Sequence, residues 1–150
     1  MAGKAADDIG IQTGGWTISW QGAAGATTTG TTILQGIRNA APSAAVTYSR
    51  LGDVATGTQA AVVVIGELPY AEMKGDRVSL ELDPDDVAVV KKVKQSGVPT
   101  VVVLPSGRPH ASNIARGPYQ AGACASRASS STPVVSPGPQ GGESESPGSP

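Results

Sequence analysis

Two runs constrain this chain most: AAVVVIG at residues 60–66 and PTVVVLPSG at residues 99–107. Each is a short, unbroken block rich in β-branched residues, closed by glycine or proline. A strand with one wet face alternates apolar and polar side chains. These runs do not alternate, so they read as strands buried on both faces of a parallel sheet. Residues 84–96 between them carry a helix. Asp83 is a natural N-cap, Pro84 suits the first helical position, and Gly97 sits where a C′ glycine is expected. Asp85 and Asp86 fall at the positive end of the helix dipole, and Lys91, Lys92 and Lys94 toward its negative end. Val87, Val90 and Val93 form the apolar stripe, with Val89 off it. Strand, helix and strand in this order make a parallel crossover, which puts the chain in the α/β class.

Residues 31–41 add a second helix. Ile33, Leu34 and Ile37 share a face, a threonine caps it, and Pro42 stops it. Residues 44–50 (AAVTYSR) read as a weaker strand nearer an edge. The first residues read as the end of a strand whose body is absent. The expectation is an incomplete, mostly parallel sheet flanked by helices over residues 1–110. From Ala111 the text turns rich in Ala, Ser, Pro and Gly, with Ile114, Val134 and Val135 as its large aliphatics. Those bury too little apolar surface to offset the entropy of ordering the segment. Residues 111–150 are therefore expected to form a disordered tail.

Composition narrows the function classes. Lys+Arg number 11 against 12 Asp+Glu, so a concentrated basic face for nucleic acid is not expected. No apolar run approaches the roughly 20 residues of a membrane-spanning helix, and the N-terminus lacks the pattern of a signal peptide. With one cysteine, Cys124, and one histidine, His110, neither an internal disulfide nor a His/Cys metal site is expected. No cofactor is implied. The glycines of GAAGATTTG fit a plain turn better than a phosphate loop.

Open parallel sheets bind ligands beyond the carboxyl ends of their strands. The loops there are GELPYAEMKGDR (66–77) and PSGRPH (105–110). Glu67 directly follows a buried strand, a place where catalytic or binding carboxylates sit. The other reading of Glu67, Glu72, Asp76 and Asp83 with Lys74 and Arg77, which the pattern favours, is a solvated loop whose ion pairs are worth little. Arg108 is open to the same two readings. His110 stands where the ordered pattern ends, without a serine or cysteine partner, and is expected to be exposed and inert.

GGWTISWQG holds both tryptophans of a chain that has no phenylalanine. In a helical turn Trp16 and Trp20 would share a side. In an extended loop Trp16, Ile18 and Trp20 would share a face. Either the pair pins the loop as a small hydrophobic cluster, or an indole face packs on the C–H groups of a sugar while Thr17, Ser19 and Gln21 take hydroxyls. The pattern alone leaves both readings open.

ADDIGIQTGGWTISWQG, then TTGTTILQGI, VVVIGELPYAEMKGDR and VVVLPSGRP, resembles the second catalytic-core domain of glycoside hydrolase family 3. The nearest branch is that of β-glucosidases and β-glucan exohydrolases, often secreted or periplasmic. The resemblance runs from Ala2 to about Pro109. It implies an α/β sandwich domain that closes the active site of a (β/α)₈-type barrel. In that arrangement the barrel supplies the nucleophilic aspartate of a retaining two-carboxylate mechanism. It implies Trp20 as a clamp on the sugar beyond the cleaved bond, with Trp16 as its support. It also implies Glu67, Tyr70, Lys74 and Asp76 on a loop near the domain interface, while Arg108 is family-like without an assigned role. The family's acid/base glutamate lies in a later motif resembling W-L-P-G-x-E-G, which is not found here. Glu143 and Glu145 are no substitutes, since an unordered tail cannot position them. The chain is therefore expected to be a fragment with no catalytic carboxylate of its own, inactive alone. Its partners would be a β-glucoside or β-glucan oligosaccharide and the missing barrel. The abrupt change after SGRP points to a reading-frame shift near codon 110. The alternative is a stand-alone carbohydrate-binding or interaction module that docks onto a separately encoded barrel.

Overall fold

The computed structural model describes residues 1–111 and the backbone of residues 122–123. Its helices are Ile9–Thr13 (α1), Ile33–Ala40 (α2) and Pro84–Gln95 (α3), and its strands are Ala61–Val64 (β1), Thr100–Val103 (β2) and Gly122–Ala123 (β3). β1 and β2 pair in parallel, from Ala61↔Thr100 to Val64↔Val103, with α3 as their crossover. α3 starts on Asp83, whose carboxylate accepts the Asp85 N–H, and Gly97 follows it at φ 76°. The rest of the segment expected as a tail lies outside the described residues, apart from Ala111 and β3.

Alternation along β1 and its continuation builds two cores. Ala61, Val63 and Ile65 pack with Leu82, Val90 and Val93 beneath α3. Val64 packs the other way, against Ala5, Ala6, Ile11 and Leu34 from α1 and its approach and from α2. The sheet is thus sandwiched between helices, as an α/β fold requires. Val89, expected off the stripe of α3, also packs against the first core.

Three sequence expectations need correction. β2 is not buried on both faces, and Val101 is 41% exposed. Among the described residues its outer neighbour β3 pairs with Val102 and Val103 and not with Thr100 or Val101. Residues 44–50 form no strand. The partner there is Met1–Ala2, too short for a ladder, and the pairing is a single parallel bridge from Ala2 to Ser49. Ala2 also bridges Val63 on its other side, so the chain start lies between β1 and Ser49. Finally, α1 has no counterpart in the sequence reading. Asp8 caps it, accepting the N–H groups of Ile11 (2.9 Å) and Gly25 (2.7 Å). Five residues that include Gly10 give too little periodicity to be seen.

The cap of α2 follows its sequence closely. Thr32 and Gln35 form a reciprocal capping box, and Thr32 also donates to Asp7 at 2.8 Å. On the far side, Lys4 reaches Asp83 (3.3 Å) and the buried Asp86 (3.1 Å), tying the first turn of the chain to the start of α3. Burial pushes the Asp86 carboxyl up, and Lys4 offsets only part of that.

Candidate functional site

The carboxyl ends of β1 and β2 feed two loops that meet over Glu67. β1 leads through Gly66 into Glu67, Tyr70 and the 3₁₀ turn Glu72–Gly75. β2 leads into Ser106, Arg108 and His110. The Glu67 side chain is 13% exposed, and cations approach both its oxygens: Arg77 Nη1 at 2.9 Å to Oε1 and Arg108 Nε at 3.2 Å to Oε2. Ser106 Oγ donates to Oε2 at 3.3 Å. Arg108 Nε also donates to the Tyr70 hydroxyl at 2.8 Å, and its guanidinium lies 4.2 Å from the centre of the Tyr70 ring. Burial pushes the Glu67 carboxyl up, but its interactions with Arg77, Tyr70 and His110 outweigh that and hold the group below its ordinary range. Arg77 from the loop after β1 and Arg108 from the loop after β2 both bind it, so this carboxylate clasps the two loops together. Burial raises the Tyr70 phenol, despite the opposing bond from Arg108.

The expectation for His110 fails. Its side chain is 1% exposed, with Nε2 3.2 Å from Glu67 Oε2 but without hydrogen-bond geometry. Nδ1 lies 3.1 Å from the Leu80 carbonyl. That oxygen can only accept, so Nδ1 carries a hydrogen. No local signal marks it, because its partners Leu80 and Glu67 lie far back along the chain. Of the other sequence candidates, Lys74 is exposed and lines a cavity of about 410 Å³ with Lys4, Arg77, Asp86 and Arg108. Asp76 is exposed and is not among the groups around Glu67; its backbone N–H donates to the Met73 carbonyl at 3.1 Å. A second cavity, of about 260 Å³, lies between Thr13–Gly15, Pro69–Tyr70 and Pro105–Gly107.

The tryptophan segment is neither a helical turn nor extended. Trp16 and Ile18 both take left-handed backbone, at φ 62° and 65°. The Trp16 N–H donates to the Trp20 carbonyl at 2.9 Å and closes the turn. The ring centroids lie 6.2 Å apart with planes tilted by 57°. Trp16 is 69% exposed, Trp20 47% and Ile18 78%, so the turn presents its apolar groups to solvent. Of the polar neighbours, Thr17 donates to the Thr13 carbonyl at 3.3 Å, and Gln21 Oε1 accepts the Ala71 N–H at 3.1 Å. The sequence brought the two tryptophans together correctly but could not show the turn, because Trp and Ile rarely adopt positive φ.

Comparisons with known proteins bear on this arrangement. The family model described as Glycosyl hydrolase family 3 C-terminal domain matches residues 1–127. That is past Pro109, where the recognisable motifs end. The chain is 32% identical over 129 residues to a protein named lysosomal beta glucosidase from Dictyostelium discoideum; the match takes in 73% of this chain and 16% of that protein. Two crystal structures of an exo-1,3/1,4-beta-glucanase from a Pseudoalteromonas species, one of them a mutant, superpose with TM-score 0.70 at 36% identity. They cover 75% of this chain, which corresponds to 20% and 15% of theirs. This chain thus spans about a fifth or less of the length of these relatives. It belongs to glycoside hydrolase family 3, matching its C-terminal domain.

Proposed function

We propose that this chain is the α/β portion of a retaining, exo-acting β-glucosidase or β-glucan exohydrolase, and that it forms the aglycone-side wall of the sugar site. One observation carries the reading: two exposed indoles, held as a tilted pair on a closed turn at the ligand-binding end of a parallel sheet. In a pyranose site Trp20 would stack on the sugar beyond the cleaved bond and Trp16 would brace it. The beta-glucosidase and exo-glucanase names of the relatives support the substrate class. Glu67, Tyr70, Lys74, Asp76 and Arg108 belong to the surrounding wall and the edge facing a barrel domain. In this reading the nucleophile comes from that barrel, so the 150-residue chain alone turns over no aryl β-glucoside. The boundary expected near residue 110 is open to limited proteolysis, with β3 at residues 122–123 placing part of the sheet beyond it.

The chain has two tryptophans, both in this turn, so intrinsic fluorescence of tryptophan reports on nothing else. Titration with laminari- and cello-oligosaccharides should give a saturable change in emission. A flat titration with both sugar series, on folded protein, would remove the sugar-platform reading. A second reading, a module that docks onto a separately encoded barrel, is favoured by the exposed Leu68, Met73, Val78 and Leu80 on the loop between β1 and α3. Restored hydrolysis on mixing with a family barrel supports it; no restoration counts against it.

A further inference from the structure

We propose that Glu67, Tyr70 and Arg108 are positioning residues for the tryptophan turn: they fix the loop that seats it, and thereby the spacing and tilt of the two indoles. The consequence for sugar affinity rests on the function proposed above; the geometry does not.

Residues 69–71 carry both ends of the turn. Before Trp16, Gly15 lies so close to the Tyr70 carbonyl that a Cβ there would overlap its oxygen. After Trp20, Gln21 accepts the Ala71 N–H. The next residue, Gly22, approaches Pro69, whose Cβ would lie 2.8 Å from a Cβ at that position. A shift of Tyr70 therefore moves the entry and the exit of the turn together.

The opposite side of Tyr70 faces the Glu67 clasp. Its ring lies against the Arg108 guanidinium and its hydroxyl accepts from Arg108 Nε, which also binds Glu67. Contact runs without a gap from the end of β2 through Arg108, to Tyr70 and Glu67, to residues 69–71, and on to Gly15 and Gln21. Glu67, Tyr70 and Arg108 belong to neither hydrophobic core, so their contacts are not what holds the sheet to its helices. They hold one loop against another, which suits a part whose geometry must be fixed for binding.

The full 150-residue chain carries the test. Two indoles 6.2 Å apart and tilted should give an exciton couplet in circular dichroism, and that couplet reads their mutual geometry directly. Tyr70→Phe removes the hydroxyl and keeps the ring. Arg108→Lys removes the planar fork that binds two partners and stacks on the ring. Glu67→Gln is the harshest change; if it fails to fold, Tyr70→Phe decides. Val90→Ala is the control, since it weakens the core without touching the cluster. Tyr70→Phe and Arg108→Lys should diminish the couplet in folded protein and raise the apparent Kd for laminari-oligosaccharide about tenfold. Val90→Ala should leave both unchanged below its melting transition. The proposal is overturned if folded Tyr70→Phe and Arg108→Lys keep the parent couplet, or if Val90→Ala alters it equally. If the variants change the couplet while the parent chain binds no sugar, positioning stands and the sugar platform falls.

Discussion

Glu67 and the Trp16–Trp20 turn occupy adjoining loops at one end of the sheet, yet they are stabilised in opposite ways. Glu67 is nearly buried, and arginine, serine and histidine side chains surround its carboxylate. Trp16 and Ile18 are mostly exposed and held in backbone conformations that cost energy. One loop satisfies its polar groups at the expense of freedom. The other keeps apolar surface in water at the expense of strain. A folded domain needs the first kind of loop; it has no use for the second unless something else covers the rings.

Glu67→Ala is expected to have the largest effect. Removing one partner of a buried ion pair costs about 3–5 kcal/mol, but Arg77 remains partly in water, so the loss should be about 2 kcal/mol. For a folded part of this size that lowers Tm by roughly 10 °C. A change below about 2 °C in a thermal melt would show that the clasp is no firmer than an ordinary surface pair.

Acid should act on the clasp next. The folded Glu67 carboxyl titrates below its ordinary value, so in that range the unfolded chain binds the proton more readily. Its contribution is therefore present above the unfolded Glu pKa, about 4.3, and is lost as pH falls through the lower folded value. Asp86 works in the other sense, because burial raises its carboxyl and acid relieves that cost. Comparing melts of the parent and Glu67→Gln between neutral pH and about pH 3 isolates the Glu67 share: the advantage of the parent should shrink on acidification. An advantage that grows would reverse the sign assigned here.

The sequence revealed the clasp and the turn to different depths. α3 was legible from Asp83, Pro84 and Gly97 because its ends are set by local chemistry. β1 was legible because burial on both faces leaves an unbroken apolar run. Glu67 and Arg108 were legible as candidates by their place after strands. His110 was misread because its partners, Leu80 and Glu67, are 30 and 43 residues away and only the fold brings them near. The family resemblance named Trp16 and Trp20 as a pair, but the positive φ values at Trp16 and Ile18 run against local preference. The residues that bracket this turn, 69–71, lie far along the chain, where no reading of nine residues reaches.

Trp20→Ala separates an anchor from a platform. A tryptophan that pins a core costs about 3–5 kcal/mol when truncated. Trp20 is about half exposed and its nearest ring is Trp16 on the same turn, so its loss should cost about 1 kcal/mol or less. A loss near the core value would make the rings a hydrophobic anchor and remove the contrast between the two loops.

The smallest effect should have the opposite sign. Ile18 is β-branched, exposed and left-handed at φ 65°. An L-residue pays roughly 1–2 kcal/mol there, whereas asparagine visits that region readily and loses less freedom than glycine on folding. Ile18→Asn gives up little buried surface, so it should raise stability by about 0.5 kcal/mol, measurable as a higher denaturation midpoint with an unchanged slope. If Ile18 matters only to the backbone, the exciton couplet and any sugar affinity will survive the change. If the isoleucine side chain also props the rings apart, both will weaken while stability rises. That trade would mark the turn as strained for binding and not for folding. A fall in stability instead would mean that the exposed Ile18 supports the fold, and the two loops would then differ in degree and not in kind.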